Sequence, residues 1–296
     1  MTPTGRVVLV IGASSGIGRA TAHILASRGD RLVLAARSQE ALEQARQECV
    51  ARGAEDTIVV PTDVSDRETV DALFEAATST FGTVDAVVYA ASVLAYGRFE
   101  DVPADVFDKS VATNIIGTAN VARSALLAFE STDAGSLVVV GSVLGKMATP
   151  YMSTYVTSKW AMHGLVRVLQ IENRSRPDVQ ISLVSPGGVD TPIYDQAGTY
   201  TGHPGSPPPP VDPPEKVAKA IVAALDHPQR EIGIGFANPI MVAGFRLLPG
   251  LFDTIVGPMM RFAGQGSASV GDHPGNIFEP NPDKEAVHGR WPHIWG

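Results

Sequence analysis

Seven short apolar runs rich in β-branched residues recur along this chain, with helical patterns filling the stretches between them. They read VVLVIG (7–12), RLVLAAR (31–37), TIVVPTD (57–63), AVVYAAS (86–92), SLVVVGS (136–142), QISLVSPG (180–187) and EIGIGF (231–236). Strands that alternate with helices imply a parallel sheet. The first six runs are apolar along nearly their whole length, as strands covered by helices on both faces must be. The expected fold class is α/β, a doubly wound sheet of about seven mostly parallel strands with helices on both faces.

No Pro, Gly or Ser-rich boundary interrupts the first 200 residues and no repeat of fixed period is present, so residues 1–238 read as one domain. Two later segments stand apart. The stretch GHPGSPPPPVDPPE (202–215) lacks the amide donors of a helix or central strand and reads as an extended loop before a helix over 215–225. Residues 239–296 form a C-terminal extension. In it Met241, Phe245, Leu248, Phe252, Ile255 and Met259 follow a three-to-four spacing, an apolar stripe on a broken helix. Arg246, Pro249, Asp253 and Pro258 exclude a membrane span there, which leaves a lid over the cleft or a subunit interface.

A hydrophobic content of 44% and a mean hydropathy of +0.09 supply a sizeable core. The net charge of −8 argues against nucleic acid and against electrostatic attachment to anionic membranes. Small-molecule partners are expected instead. The single Cys49 cannot form an internal disulfide, and the apolar run Val7 to Ile11 is too short for a signal-peptide core, so the expected compartment is the cytoplasm. The histidines at 203, 227, 273, 288 and 293 show no metal-ligand arrangement.

Directly after the first run, Gly12, Ser14, Ser15, Gly16, Ile17 and Gly18 form a strand-to-helix turn of pattern G-x-x-x-G-x-G. Backbone amides and a helix dipole at that place can receive a pyrophosphate, although a glycine turn that only packs helix on strand fits as well. The second run ends in Arg37 where an acidic residue would select a free ribose 2′-hydroxyl. A guanidinium there suits a 2′-phosphate, with Ser14 and Ser38 adding hydroxyls, and favours NADP(H) over NAD(H). A plain surface arginine is the alternative. After the third run, Asp63 and Val64 stand where an adenine amine meets a carboxylate or where Asp63 caps the next helix.

Tyr155 and Lys159 lie four apart, so on a helix they share a face, where the ammonium can favour the ionised phenol. That arrangement brings a tyrosine, ordinarily near a pKa of about 10, towards proton transfer at neutral pH. The pair alone also fits a helix surface with the lysine solvated and the tyrosine packed.

Taken together, the glycine loop, Asp63, Asp85, Asn114 in ATNIIGTANVA, Ser142, Tyr155, Lys159 and PGGVDT (186–191) resemble the short-chain dehydrogenase/reductase family, in its short single-domain branch. The resemblance covers roughly residues 5–236, and the 13-residue separation of Ser142 from Tyr155 is the one usual in that family. It implies a Rossmann-like fold and a role for each residue. Tyr155 donates or takes the alcohol proton, Ser142 hydrogen-bonds the substrate oxygen, and Lys159 binds the nicotinamide ribose and lowers the tyrosine pKa. Asn114 interrupts its helix and holds a water. Ala90, Ala91 and Ser92, with Pro186, Gly187, Val189 and Thr191, complete the implied cofactor contacts. Here Tyr89-Ala90-Ala91-Ser92 replaces the family's usual Asn-Asn-Ala-Gly or Asn-Ala-Ala-Gly, and Ile11 replaces a frequent Thr.

The implied activity is NADP(H)-dependent interconversion of a carbonyl and an alcohol on an apolar small molecule, by a homodimer or homotetramer. Two alternatives remain on the same fold: a cofactor-binding sensor or scaffold, and a non-redox enzyme such as an epimerase.

Overall fold

Alternation along the first strand decides the layering. In β1 (Val7–Ile11), Val7, Leu9 and Ile11 belong to one buried cluster and Val8 and Val10 to another, and all five are fully buried. A strand apolar on both sides has to be covered twice. On the first side α3 (Arg67–Phe81), α5 (Gly117–Ala128) and α6 (Ser153–Glu172) supply Val70, Leu73, Val121 and Met162. On the second, α1 (Gly16–Ala26), α2 (Gln39–Ala51) and α7 (Pro214–Asp226) supply Leu25, Leu42, Cys49 and Ile221. These relations come from a computed structural model that describes residues 5–293.

The other strands are β2 (Arg31–Ala36), β3 (Asp56–Pro61), β4 (Ala86–Tyr89), β5 (Gly135–Val140), β6 (Val179–Pro186) and β7 (Glu231–Ile234). All seven expected strands exist and all pair in parallel, in the order β3-β2-β1-β4-β5-β6-β7. The fold is Rossmann-like. Strand order reverses between β1 and β4, so the loops beyond their carboxyl ends diverge and leave a crevice, the usual place for a ligand in such a sheet. Between α4 (Ala104–Val111) and α5 the helix widens into a π-turn over Ala112–Ile116.

As far as Pro213 the proline-rich loop contains no helix; it pairs Val211–Asp212 with Gly188–Val189 and bridges Gly205 to Gln265. Beyond β7 the broken helix is two helices, α8 (Asn238–Leu247) and α9 (Pro249–Ala263). Leu248, at φ −133° and ψ 54°, leaves helical geometry and breaks the stripe in two. As a result Val256 and Met260 are buried against Leu94, Tyr96 and Met152, with Phe252 and Met259 packed beside them, while Leu248 and Ile255 stay exposed. Among the described residues, no helix is long and apolar enough to cross a membrane. From Gly264 the chain runs largely without regular structure and returns to the crevice, where Gly16 N–H donates to the Ala286 carbonyl at 2.8 Å.

Candidate active site

The glycine loop has to be made of glycines. Gly12 has φ +90°, and a Cβ there would lie 2.6 Å from the Ala91 amide nitrogen; Gly16 has φ +51° and would place a Cβ 3.0 Å from the Thr191 methyl. Gly18 packs so closely on the Gly12 carbonyl that no side chain fits between them. The loop therefore brings backbone amides to the start of α1 without side chains in front of them. Helix geometry and the dipole favour a negatively charged or oxygen partner there, here the Ala286 carbonyl on Gly16. The space above it is a cleft lined by Gly12, Ser14, Ser15, Gly16 and Ile17 on one wall. Arg37, Asp63 and Val64 form another, and Ala90, Ala91, Ser92 and Thr191 a third. An extended dinucleotide fits these walls: bare amides at one strand end, a guanidinium at the next, and a bound carboxylate at the third.

Ser38, Pro186, Gly187 and Val189, also expected as cofactor contacts, do not line this cleft. Ser38 caps α2, its hydroxyl accepting from Ala41 N–H at 3.3 Å. Pro186 ends β6, Gly187 lines a second cavity, and Val189 is buried in the sheet's second layer. Asp63 does not cap α3; Asp66 does. The Asp63 carboxylate instead accepts from Ser65 N–H and hydroxyl at 2.9 and 2.7 Å and pairs with Lys109 at 2.9 Å. Burial opposes its charge, but these partners hold it below the usual carboxylate range.

Three of the four residues assigned to chemistry, Ser142, Tyr155 and Lys159, lie together. Ser142 ends β5 and Tyr155 and Lys159 stand on one face of α6, with Lys159 only 2% exposed. Burial pushes the Tyr155 phenol up to about 12, with the Ser142 hydroxyl pulling in the opposite direction. Lys159 Nζ donates to the Val140 carbonyl at 3.0 Å and lies 5.3 Å from the centre of the Tyr155 ring. Burial pulls its pKa down to about 7. The expected lowering of the phenol by a neighbouring ammonium is thus absent from this geometry, because the amine meets the ring rather than the oxygen. Asn114 sits in the π-turn with its side chain bound to the Ser92–Val93 stretch: Oδ1 accepts from Val93 N–H at 2.9 Å and from the Ser92 hydroxyl at 3.1 Å, and Nδ2 donates one of its two hydrogens to the Val93 carbonyl at 2.9 Å. Tyr89, whose hydroxyl donates to the Thr113 carbonyl at 3.0 Å, ties the same turn to β4. The altered Tyr89–Ser92 stretch therefore braces the π-turn.

Ser142 and Tyr155 also face a second, apolar cavity, with Leu94, Met152, Tyr194 and Met259 among its walls; Ile193 lines both cavities. The two spaces are neighbours across Ile193.

Two features escape a reading of the sequence. One is His163, eight positions after Tyr155 on α6, whose ring nitrogen accepts from Ser142 N–H at 3.5 Å. Burial pulls its pKa down to about 4, so it acts as a neutral acceptor under the serine turn. Continuing the four-residue spacing from 155 through 159 to 163 would have found it. The other is the segment 276–286, whose Asn276 and Glu285 line the glycine-loop cleft. Nothing in its irregular composition points there.

The short chain dehydrogenase family profile matches residues 6–200 of this chain. The uncharacterized oxidoreductase YxnA of Bacillus subtilis (strain 168) is 36% identical over 259 residues, 86% of this chain and 72% of the relative. The uncharacterized oxidoreductase SAR2567 of Staphylococcus aureus (strain MRSA252) is 32% identical over 231 residues, 76% of this chain and 93% of that protein. Among solved structures, an alcohol dehydrogenase from the archaeon Thermococcus sibiricus complexed with 5-hydroxy-NADP is similar at 31% identity and a TM-score of 0.68, covering 77% of this chain and 94% of that one. A short chain dehydrogenase/reductase from Burkholderia phymatum in complex with NAD gives 28% identity and a TM-score of 0.76, covering 85% and 96%.

Proposed function

This chain belongs to the short chain dehydrogenase family, and from that membership we propose that it is an NADP(H)-dependent oxidoreductase interconverting an apolar carbonyl compound and its alcohol. The observation that carries the reading is an apolar cavity holding Ser142 and Tyr155 that shares the wall residue Ile193 with the glycine-loop cleft. One cavity has the walls of a dinucleotide cleft, and the other is apolar and large-walled, so a reducible carbon held in the second faces the first. Both similar solved structures carry a nicotinamide dinucleotide, one an NADP derivative and one NAD. Arg37 at the end of β2 supports the NADP form, since a guanidinium pairs with a 2′-phosphate through two parallel hydrogen bonds.

When bound, the nicotinamide supplies or accepts the hydride. During reduction the carbonyl oxygen gains charge as the carbon is attacked. The Ser142 hydroxyl donates to that oxygen, and the Tyr155 hydroxyl gives it a proton. A phenol held near 12 by burial keeps its proton until that charge develops. Lys159, once charged and turned towards the phenol oxygen, lowers the cost of the phenolate left behind. His163 orients the serine turn through its backbone amide. Helices α8 and α9 roof the apolar cavity through Met241, Met259 and Met260, so the C-terminal extension acts as a lid. Their outer face leaves Leu247, Leu251, Ile255 and Phe262 exposed, a surface suited to a second copy of the chain.

The test is NADPH oxidation against a panel of ketones, aldehydes, quinones and steroids, by wild type and by Tyr155→Phe. The variant is expected to fold, to bind NADPH and to lose at least ~10²-fold in turnover. Turnover within threefold of wild type would remove Tyr155 from the chemistry.

A further inference from the structure

The cleft that receives the dinucleotide in the reading above already has an occupant made of this chain. The single N–H of Gly16, aimed where a pyrophosphate oxygen would bind, donates to the Ala286 carbonyl at 2.8 Å. Arg37, the expected partner of a 2′-phosphate, turns its guanidinium to three successive carbonyls, those of Asn276, Ile277 and Phe278, at 2.6, 3.0 and 3.3 Å. The Ser14 hydroxyl bonds the Glu285 side chain. Amide, guanidinium and hydroxyl are thus all engaged by oxygens of residues 276–286.

This segment is held at both ends and spans the cleft between them. At one end Ile277 is completely buried with Val93, Ala95, Val102 and Val106. At the other, Asp190 accepts from Trp291 N–H at 2.9 Å and meets the His293 ring at 3.0 Å. Between the anchors the segment meets phosphate-binding groups through Phe278, Glu285 and Ala286. It is also held by the Gln196 amide on the Lys284 carbonyl at 2.8 Å, by Lys284 Nζ on the Asp195 carbonyl at 3.3 Å and by the Arg19 guanidinium on the Glu285 carbonyl at 3.3 Å. Glu285 carries a further mark of a displaceable occupant: its Oε2 is buried without a hydrogen-bond partner. An orphaned carboxylate oxygen gains by leaving such a site.

We propose that residues 276–286 are an internal competitor of the cofactor, a strap that fills the phosphate-binding donors in the free protein and lifts off when a nicotinamide dinucleotide binds. The inference rests on the cofactor reading above. A backbone amide has one hydrogen, so Gly16 cannot serve Ala286 and a phosphate at once. A carboxylate beside Ser14 also repels phosphate oxygens in the same pocket. Cofactor affinity is then reduced by the fraction of molecules whose strap is closed. The Ile277 side chain and the Asp190 contacts lie away from the glycine loop, so the stretch carrying Glu285 and Ala286 opens as an arch with its ends retained, while Arg37 exchanges the carbonyls of residues 276–278 for phosphate beside the Ile277 anchor.

The experiment follows amide hydrogen exchange of residues 276–286 in the full chain with and without NADPH, and measures NADPH dissociation constants for wild type and Glu285→Gln. NADPH is expected to speed exchange across the strap while slowing it in the glycine loop. Glu285→Gln, which keeps the shape and removes the charge, is expected to bind NADPH roughly tenfold more tightly, the size of one charge repulsion near a protein surface. Slower or unchanged strap exchange on binding, or equal dissociation constants within twofold, would overturn the strap while leaving the cofactor reading intact. Failure of both proteins to bind NADPH and NADH would overturn both.

Discussion

Lys159 is a basic residue whose burial changes its charge at neutral pH. Its ordinary pKa of 10.5 falls to about 7 because the amine is buried among Val140, Met162 and the Tyr155 ring. Between those two values the unfolded chain holds a proton that the folded chain has lost, so stability rises with pH across that window and the full penalty is present below about 7. The cofactor-free protein is therefore expected to melt several degrees higher at about pH 8.5 than at about pH 6.5. Lys159→Met should flatten that slope and melt above wild type at the lower pH; parallel melting curves for the two proteins would show that the lysine is solvated. Arg37 supports a second expectation. Charge-assisted bonds to a 2′-phosphate are worth about 1.5 to 3 kcal/mol, or about 10- to 150-fold in affinity, so NADPH should bind more tightly than NADH by that factor. Arg37→Asp should abolish or reverse the difference in titrations of both cofactors. At this scale the sequence identifies side chains that lie close together, since Ser142 and Lys159 both stand beside Tyr155, while Asn114 binds the Ser92–Val93 stretch. Their protonation is hidden from it, because burial depends on residues as remote as Val140 and Met162.

Elements were legible where one period governs a whole segment. Each of the seven runs became a parallel strand; the central ones had to be apolar throughout because they are buried on both faces, whereas the edge strand Glu231–Ile234 is largely exposed. The C-terminal stripe was legible only in part. Its spacing assumes one continuous helix, and the break at Leu248 rotates the second half, so that Val256 and Met260 take the inner positions in place of Ile255. A stripe can also predict burial without saying against what. Here the inner face of α9 closes the apolar cavity, which yields a test at the same scale. Met259→Glu is expected to raise KM for bulky apolar carbonyl substrates by at least about tenfold while leaving the NADPH dissociation constant unchanged, since a carboxylate in an apolar wall is costly and the cofactor cleft lies elsewhere. An unchanged KM would detach α9 from substrate binding and leave the helix pair free to serve another surface.

Across the whole molecule, the path of the chain decides what can be known early. The crevice between β1 and β4 follows from strand order, and strand order follows from a pattern visible in the sequence. The return of residues 276–286 does not, since Arg37 meets Ile277 across 240 positions and Arg19 meets the Glu285 carbonyl across 266. No local preference encodes contacts of that range. During synthesis the order of these events is fixed by the ribosome, which extends chains at about 5–20 residues per second and releases earlier segments to fold first. The glycine loop, β2 and Arg37 leave the exit tunnel long before Glu285 is made. A nascent chain can therefore load its dinucleotide with no rival present, and a molecule born in a cofactor-rich cell acquires its guard only after the guest is seated.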